Sequence, residues 1–272
     1  MTAARGKVLI IAGSDSGGGA GIQADIKAVT CLGGFAMTAI TALTAQNTLG
    51  VTGIHDVPAA FVAEQITVVL EDLGADAIKI GMLHRTDIIT VVAERLRTLA
   101  PDVPVVVDPV MVAKGGHALI NDDAVDALKQ DILPLATVIT PNLPEAERLV
   151  GQTFDAVGPD AMAKALGQLG PEAVLVKGGH SEGSEVTDRL FAGGEGVLTL
   201  SSTRIETVHT HGTGCTLASA LACGLAQGLD LEEAFRRARA YVIEAIATAP
   251  GFGGGHGPLN HGITVSNYAG HS

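Results

Sequence analysis

The 272-residue chain is 47% hydrophobic and 17% charged, which excludes an intrinsically disordered protein and leaves room for a large buried core. Its net charge of −12 is spread without a basic cluster and aromatic residues make up only 3%, so we expect no nucleic-acid partner. The 3 cysteines form no C-x-x-C pair, and no stretch has the pattern of a signal peptide or membrane span, so we expect no disulfide framework, no zinc site, no membrane association and a cytoplasmic location.

Short, continuously apolar runs are typical of parallel strands that are covered on both faces. In chain order they comprise residues 8–12, 77–80, 103–107, 137–139 and 173–176. The segments between them have helical periodicity at residues 59–73, 87–99, 122–133 and 160–169. This alternation predicts an α/β fold built on a doubly wound, mostly parallel sheet.

The pattern changes after residue 179. Residues 185–192 and 197–200 are predicted to form two antiparallel edge strands around a glycine-rich turn at residues 193–196. No linker, repeat or low-complexity segment divides the chain. We therefore predict a single domain over residues 1–272.

Two helices are predicted in the last third of the chain. Leucines recur at i+4 spacing over residues 217–225, and a glycine at position 228 suits the end of that helix. The second helix begins with a capping-box pattern at Asp230 and runs to about residue 248. The glycine- and histidine-rich tail from residue 250 fits no element.

Ligands of doubly wound sheets bind beyond the carboxyl ends of the strands. A polar or glycine-rich turn follows each apolar run, at residues 13–19, 81–82, 108–111, 140–142 and 177–180. We expect these turns to meet along one rim of the sheet.

The first of these turns leads into G-x-G-x-x-A at residues 19–24, the pattern of a dinucleotide site. Two features weaken that interpretation: the strand is expected to end near Ala12, and no Asp or Glu lies between Lys27 and His55 to bind a ribose. Two other interpretations of the turn stay open. The turn is either a glycine connection without a ligand or a surface for a small ligand, closed by a polar group such as Asp25.

No P-loop pattern G-x-x-x-x-G-K-[ST] occurs in the chain. A different anion site is predicted at Gly212, Thr213 and Gly214, because glycines let consecutive amides turn inward and the helix that follows adds its positive end. A phosphate there would be held mainly by backbone groups.

Cys215 begins the same helix and has two interpretations. It is either a small packing residue, as we predict for Cys223, or a functional thiol whose pKa is lowered by the helix N-terminus so that thiolate forms near neutrality. A functional thiol allows two chemistries. A covalent nucleophile needs a histidine base such as His209 or His211, whereas a proton acceptor would serve a substrate hydroxyl that attacks a phosphoryl group.

Polar residues that suit the phosphate region follow three other apolar runs. Asn142 and Glu145 fit a helix N-terminal capping box, which would explain both, but Glu145 also suits Mg²⁺ or its waters. Asp108 is a second carboxylate at the end of an apolar run. Lys177 is either a solvated lysine or a partner for nucleotide phosphate.

Seven motifs together resemble a known family. They are AGSDSGGGAGIQAD, TALTAQNT, KIGML, VVVDPVMVAKGG, ITPNLPEA, LVKGGH and THGTGCTLASA. In this order, over roughly residues 8–261, they resemble the hydroxymethylpyrimidine/phosphomethylpyrimidine kinases of thiamine biosynthesis, members of the ribokinase-like superfamily. The resemblance implies a three-layer fold with a mostly parallel sheet between helices on both faces.

The resemblance also implies an ATP- and Mg²⁺-dependent kinase, and we further expect a homodimer. It would phosphorylate 4-amino-5-hydroxymethyl-2-methylpyrimidine to the monophosphate and then to the diphosphate. The pyrimidine would be bound by Gly13, Asp25, Gln46, Met82 and Val110. ATP would be contacted by Asp108, Asn142, Lys177 and Thr210, and Mg²⁺ by Glu145. The anion hole and proton acceptor would be Gly212, Thr213, Gly214 and Cys215.

One stretch departs from the family pattern, and two rival functions stay open. After Lys114 the chain reads Gly-Gly-His, where the family tends to have Ser-Gly followed by Asp or a similar residue; this loop is a candidate lid. The nearer rival is a pyridoxal or pyridoxine kinase of the same Cys-type branch. The rival from another class is a nucleotide- or dinucleotide-binding protein without transferase activity.

Overall fold

The computed structural model describes residues 6–112, 120–179 and 183–265, so the candidate lid at residues 114–117 lies outside the described residues. The strands are β1 (Lys7–Asp15), β2 (Phe35–Asn47), β3 (Gly50–Asp56), β4 (Ala77–Ile80), β5 (Val105–Val107), β6 (Val138–Ile139), β7 (Ala173–Val176), β8 (Glu185–Ala192) and β9 (Glu195–Thr203). The α-helices are α1 (Gly21–Cys31), α2 (Ala59–Asp72), α3 (Thr86–Leu99), α4 (Asp122–Ala127), α5 (Leu143–Val150), α6 (Phe154–Gly167), α7 (Thr213–Ala226) and α8 (Leu231–Ala247). Within these ranges, no helix combines the length and apolar character needed to cross a membrane.

All of these strands lie in one sheet, in the order β3-β2-β1-β4-β5-β6-β7-β8-β9. Parallel ladders join the strands from β2 across to β7, whereas β3, β8 and β9 pair antiparallel. Helices α2 to α6 pack on one face of the sheet, and α1, α7 and α8 pack on the other. The prediction of a mostly parallel sheet between two helical layers is therefore confirmed.

The apolar runs are explained by burial on both faces of the central strands. On β1, Leu9 and Ile11 pack with the layer of α2 to α6, while Val8 and Ile10 pack with α1, α7 and α8. All four side chains are completely buried. Because successive side chains of a strand point to opposite faces, a strand that is covered twice is apolar at every position.

The amino-terminal elements correct the sequence-based expectation. β1 continues to Asp15 instead of ending near Ala12, and α1, β2 and β3 were not predicted. α1 begins after Ala20, which offers no side-chain cap, so the usual signal of a helix start is missing. The second half of β2, which pairs with the edge strand β3, alternates exposed and half-buried residues, so it lacks the continuous apolar run of a central strand.

Two predicted helices differ in detail from the observed ones. The segment predicted at residues 122–133 is α-helical only to Ala127 and then widens into a π turn and tightens into a 3₁₀ turn around Pro134. The helix predicted from residue 160 begins earlier, at Phe154, with a break at Gly158 whose φ is +78°. The residue after that break is Pro159, which lacks the amide proton of a regular helical turn. The predicted antiparallel pair is confirmed as β8 and β9.

The glycine- and histidine-rich tail packs across the molecule near the start of α7. His211 N–H donates to Gly257 O at 3.1 Å, and His256 N–H donates to Thr48 O at 2.9 Å. The tail then forms a short 3₁₀ turn at His261–Thr264. There the buried His261 ring lies 2.9 Å from Thr216 Oγ1 on α7. The tail therefore links the β2–β3 turn to α7.

His261 makes the stability of the fold dependent on pH. Burial lowers the pKa of its imidazole to about 4, against 6.5 in an unfolded chain. Its contribution is complete above pH 6.5 and is lost as the pH falls toward 4, because only the unfolded chain then takes up the proton. Between pH 7.5 and 5 we expect this residue to lower the free energy of unfolding by about 2 kcal/mol.

Urea unfolding of the parent and of His261→Gln at both pH values tests this expectation. The parent should lose more stability than the variant, because the glutamine has no proton to gain. His55→Gln, at an exposed histidine of β3, is the matched control and should behave as the parent. Equal losses in the parent and in His261→Gln would contradict the assignment.

Candidate active site

A cleft of about 1080 Å³ opens beyond the carboxyl ends of the parallel strands, where α7 begins. It brings together residues from all three predicted sets. They are Gly13, Gln46, Met82 and Val110 from the pyrimidine set, Asp108, Asn142, Glu145, Lys177 and Thr210 from the phosphate set, and Gly212, Thr213, Gly214 and Cys215 from the anion hole. Of the predicted site residues, only Asp25 does not line it.

The amino terminus of α7 has the geometry of an anion site. Gly212 is its N-cap, in the left-handed region with φ of +81°, and a Cβ there would overlap the carbonyl oxygen of Gly19. Only glycine combines this conformation with this close approach. Among the hydrogen bonds of the described residues, the amides of Gly214 and Cys215 have no acceptor. Both belong to the first turn, where the helix dipole favours negative charge.

A buried charge cluster lies against this turn. Lys177 Nζ donates to Asp108 Oδ1 at 2.7 Å and lies 3.7 Å from Glu145 Oε2. A Cβ on Gly214 would be 3.2 Å from both the Lys177 ammonium and Asp108 Oδ2, so the cluster borders the free amides directly. Lys177 is thus held by carboxylates, and the interpretation of a solvated lysine does not fit.

Glu145 completes the predicted capping box and also lies in the cleft, as the two interpretations of its sequence position suggested. Its Oε2 accepts the Asn142 amide at 2.8 Å, and Asn142 Oδ1 accepts the Glu145 amide at 2.9 Å, which completes the capping box. The same carboxylate lies in the cleft beside Lys177 and Asp108. Burial, with a smaller effect of Asp108, raises the pKa of Glu145 to about 7.

The donors around Glu145 fit a magnesium ion that is held only partly by protein. Within the described ranges, no group of three or more His, Cys, Asp or Glu side chains could hold a metal ion. Magnesium typically takes one or two carboxylates and fills its other positions with waters and substrate phosphates. Glu145 and Asp108 match that mode, and Glu145 Oε1 has no hydrogen-bond partner among the described residues.

The glycine turn after β1 encloses a carboxylate of the protein itself. Asp15 accepts the amides of Gly17, Gly19 and Ala20 at 2.8 to 3.0 Å and lies 2.9 Å from His211 Nε2. The amides that would hold a pyrophosphate in a dinucleotide site are therefore occupied. Asp15, instead of Asp25, closes this turn, while Gly13, Ser14 and Ala20 line the cleft, as expected for a surface that a small ligand could contact.

The pyrimidine set forms one end of the cleft. Met82 packs with Ala42, Ile54 and Val110 in a small apolar cluster. Gly13 lies under Met82, where a Cβ would meet the Met82 Cε. Gln46 is half-buried beside His211, with its carboxamide facing the same cleft. This end therefore offers an apolar wall and one group that both donates and accepts hydrogen bonds.

The assignment of Asp25 to the pyrimidine is wrong. Its side chain is completely buried, and it accepts hydrogen bonds from Lys79 Nζ at 2.9 Å and from Ser219 Oγ at 2.7 Å. Lys79 lies in the cleft wall and was not among the predicted site residues. A lysine inside the otherwise apolar run of β4 was the available signal, because a buried ammonium needs a charged partner.

The structure also corrects the expected state of Cys215. Burial raises the pKa of its thiol to about 12, with Asp25 and Asp108 adding to the effect and Lys79 opposing it. These surroundings thus oppose the lowered thiol pKa that the position at the helix N-terminus predicts. A Cys–His pair is also not formed within the described residues, because His211 Nε2 is bound to Asp15 and no histidine nitrogen reaches the sulfur. Cys223 is completely buried in the core, as predicted for a packing residue.

Comparisons with known proteins agree with the family resemblance of the seven motifs. The family model described as phosphomethylpyrimidine kinase matches residues 15–260. A hydroxymethylpyrimidine/phosphomethylpyrimidine kinase of Rhizobium meliloti is 49% identical over 93% of this chain and 96% of its own length. The thiamine biosynthesis bifunctional protein ThiED of Geobacter sulfurreducens is 52% identical over 94% of this chain, and the chain spans about half, 52%, of that relative's length.

Solved structures show the same fold in two kinds of vitamin kinase. The phosphomethylpyrimidine kinase of Clostridium difficile is 40% identical, with a TM-score of 0.76 over 88% of this chain and 99% of its own. The pyridoxal kinase of Bacillus subtilis, solved as an ADP complex, is 34% identical, with a TM-score of 0.83 over 94% of this chain and 97% of its own. The predicted ribokinase-like fold and the predicted class of phosphotransferase are confirmed. The chain belongs to the phosphomethylpyrimidine kinase family.

Proposed function

We propose that this chain transfers the γ-phosphate of ATP to the hydroxymethyl group of 4-amino-5-hydroxymethyl-2-methylpyrimidine, and then phosphorylates the monophosphate to the diphosphate. The observation that carries the proposal is the composition of one cleft around the start of α7. Free amides and Cys215 lie there together with an apolar, carboxamide-bearing end and a lysine–carboxylate cluster. The apolar end with its carboxamide suits a small heteroaromatic ring, and the region of the amides and the lysine–carboxylate cluster suits a polyphosphate.

Gln46 is the residue that suits an aminopyrimidine. Such a ring presents an amino donor next to a ring-nitrogen acceptor, and a carboxamide answers both. Met82 and Val110 would lie against the ring, and Gly13 would leave room beneath it. The hydroxymethyl group would then point toward the first turn of α7.

The amides of Gly214 and Cys215 would bind the oxygens of the transferring phosphate. Positioning and charge stabilisation dominate phosphoryl transfer, so this cradle and Lys177 would carry most of the rate enhancement. Cys215 Sγ would accept the proton of the substrate hydroxyl. Because its pKa is about 12, the thiol must first lose its own proton, and the thiolate that results is a strong base. Asn142 and Thr210, which line the same cleft, would contact ATP.

Magnesium would be held through Glu145, directly or through water, next to the phosphates of ATP. When bound, it would neutralise charge on the phosphates that leave with ADP. Glu145→Gln keeps the shape and an acceptor for the Asn142 amide but removes the charge. We expect this variant to require at least about tenfold more Mg²⁺ for half-maximal rate.

Initial rates at fixed ATP over a magnesium titration test this role. Glu147→Gln is a matched control on the same helix, because its carboxylate accepts the Phe154 amide instead of facing the charge cluster. An unchanged magnesium requirement in Glu145→Gln would remove this residue from the metal site.

The decisive test of function is ADP release measured in parallel with hydroxymethylpyrimidine, its monophosphate and pyridoxal. We expect turnover of both pyrimidines and little with pyridoxal. A pyridoxal kinase stays the second candidate because the Bacillus subtilis pyridoxal kinase has the higher TM-score, 0.83 against 0.76. Faster turnover of pyridoxal would replace the first proposal, and ligand binding without ADP release would favour the non-catalytic alternative.

We further propose that the chain is a homodimer and that residues 1–272 form one domain. The β2–β3–α2 edge exposes several large apolar side chains, among them Leu49 at 73%, Phe61 at 54% and Phe35 at 46%. Light scattering after size exclusion would distinguish a dimer from a monomer. The cytoplasmic location and the absence of a nucleic-acid partner stay predictions.

A further inference from the structure

A fully buried ammonium lies in the central sheet beneath the first turn of α7. Lys79 occupies the third position of β4, between Ile78 and Ile80, and is 0% exposed. Asp25 Oδ2 accepts from its Nζ at 2.9 Å, and the other oxygen of Asp25 accepts from Ser219 Oγ at 2.7 Å. The carboxylate is thus anchored at both oxygens, by β4 and by α7.

The ammonium is directed toward the cleft. Lys79 belongs to the cleft wall, and a Cβ on the neighbouring Gly81 would lie only 2.8 Å from Nζ. Ser219 lies one turn beyond Cys215 on α7, so the anchor of the ion pair and the thiol are on the same side of that helix. Among the described residues, Asp25 is the only acceptor bonded to Lys79, although an ammonium carries three donors.

Charged groups of β4, α1 and the turn after β5 lie near the Cys215 thiol. The backbone amide of Gly21, at the start of α1, and the ammonium groups of Lys79 and Lys177 favour the thiolate. Asp25 and Asp108 oppose it. Among these charges, Lys79 has the largest effect on the thiol.

Taking the proposed role of Cys215 as the starting point, we propose that Lys79 is a positioning residue whose buried ammonium stabilises negative charge on Cys215 Sγ, and that Asp25 and Ser219 hold the ammonium in place. The ammonium would assist proton transfer from the substrate hydroxyl during phosphoryl transfer. The thiolate takes the proton of the substrate hydroxyl as S–H forms and O–H breaks. The freed oxygen pair bonds to the γ-phosphorus of ATP, and the bond from that phosphorus to ADP breaks. The thiol then returns its proton to water.

The test is the alkylation rate of Cys215 in the folded full-length chain. Lys79→Met alone would leave a buried carboxylate without its partner, so the main variant is Lys79→Met/Asp25→Asn, which removes both charges and keeps an acceptor for Ser219. Because the Asp25 charge opposes the thiolate, this double variant is compared with Asp25→Asn, from which it differs only in the Lys79 ammonium. Iodoacetamide reacts with the thiolate, and below the pKa the rate follows the thiolate fraction. With peptide-resolved mass spectrometry at pH 9, we expect Cys215 to react at least about tenfold more slowly in the double variant than in Asp25→Asn, which corresponds to one pKa unit.

Two further measurements keep the result interpretable. Cys31, which is half-buried in the same sample, should react at the parental rate in every variant. Gly81→Ala is the second variant, because its methyl group would displace the ammonium without changing any charge. We expect it to slow alkylation of Cys215 by about threefold, half a pKa unit.

The proposal would be overturned if Cys215 reacted equally fast in the double variant and in Asp25→Asn, and at the parental rate in Gly81→Ala, with circular dichroism showing a native fold in each. If the double variant or Asp25→Asn does not fold, Gly81→Ala decides alone. Because alkylation needs neither ATP nor substrate, its outcome is separate from the substrate assignment. Loss of pyrimidine turnover as the identified activity would affect the proposed function and leave the charge relation of Lys79 and Cys215 standing.

Discussion

Replacing Cys215 by alanine is expected to lower kcat by about 10²–10⁴-fold, the range over which a positioned proton acceptor contributes. The variant should keep its fold, because the residue is half-buried at the edge of the cleft and alanine suits the first turn of a helix. It should also keep its affinity for ATP, since the amide cradle and Lys177 stay in place. Steady-state kinetics with hydroxymethylpyrimidine, together with an ATP-binding titration, give both values.

Cys223→Ala is the matched control for this prediction. Both cysteines belong to α7, but Cys223 is completely buried and its Sγ contacts Val29 O at 3.8 Å. We expect the control to lose some stability and to keep kcat. Parental kcat in Cys215→Ala would refute the proton-acceptor role and leave the kinase assignment standing. Cys215→Ser adds a graded test, because a hydroxyl is a weaker acid than a thiol and should also lower the rate.

The second large effect is expected from Gly212→Ala, which should lower kcat by at least about 10²-fold by disturbing the anion hole. An alanine at this position would need a φ of +81° and its methyl group would overlap the Gly19 carbonyl. The backbone at Gly19 cannot move away at low energetic cost, because the Gly19 amide donates to Asp15. The start of α7 must then shift, and the amides of Gly214 and Cys215 shift with it.

Gly228→Ala separates this effect from the general cost of a left-handed alanine. Gly228 follows the same helix at its other end, with φ of +84°, and nothing lies within 4 Å of a Cβ built there. Both variants should therefore pay a similar backbone cost, roughly 1 kcal/mol, in the free energy of unfolding. Only Gly212→Ala should lose turnover. An equal, small effect of both variants on kcat would contradict the anion-hole geometry.

The parts of the site that could be predicted are those encoded within a few residues. The capping box of Asn142 and Glu145 and the glycines before Cys215 are local patterns, and their geometry follows from backbone conformation alone. The central strands were also predictable, because burial on both faces leaves a continuous apolar run. The motifs then carried the family assignment, which the comparisons confirm.

The wrong predictions about the site concern contacts between residues that lie far apart in the chain. Asp25 was predicted to bind the substrate because nothing near it in sequence shows that it forms an ion pair with Lys79, 54 residues away. Likewise, Asp15 closes the glycine turn with help from His211, 196 residues away. A sequence pattern shows which groups are polar, but only packing decides which of them meet.

For this protein, the sequence by itself determined the alternation of strands and helices, the family and the rim on which the site lies. These follow from local backbone preferences and from the apolar pattern that burial requires. The tertiary structure alone decided the direction in which each pKa shifts, because a pKa depends on burial and on charges brought close by folding. Cys215 is the clearest case: its position at a helix start predicts a lowered thiol pKa, whereas burial raises that pKa to about 12.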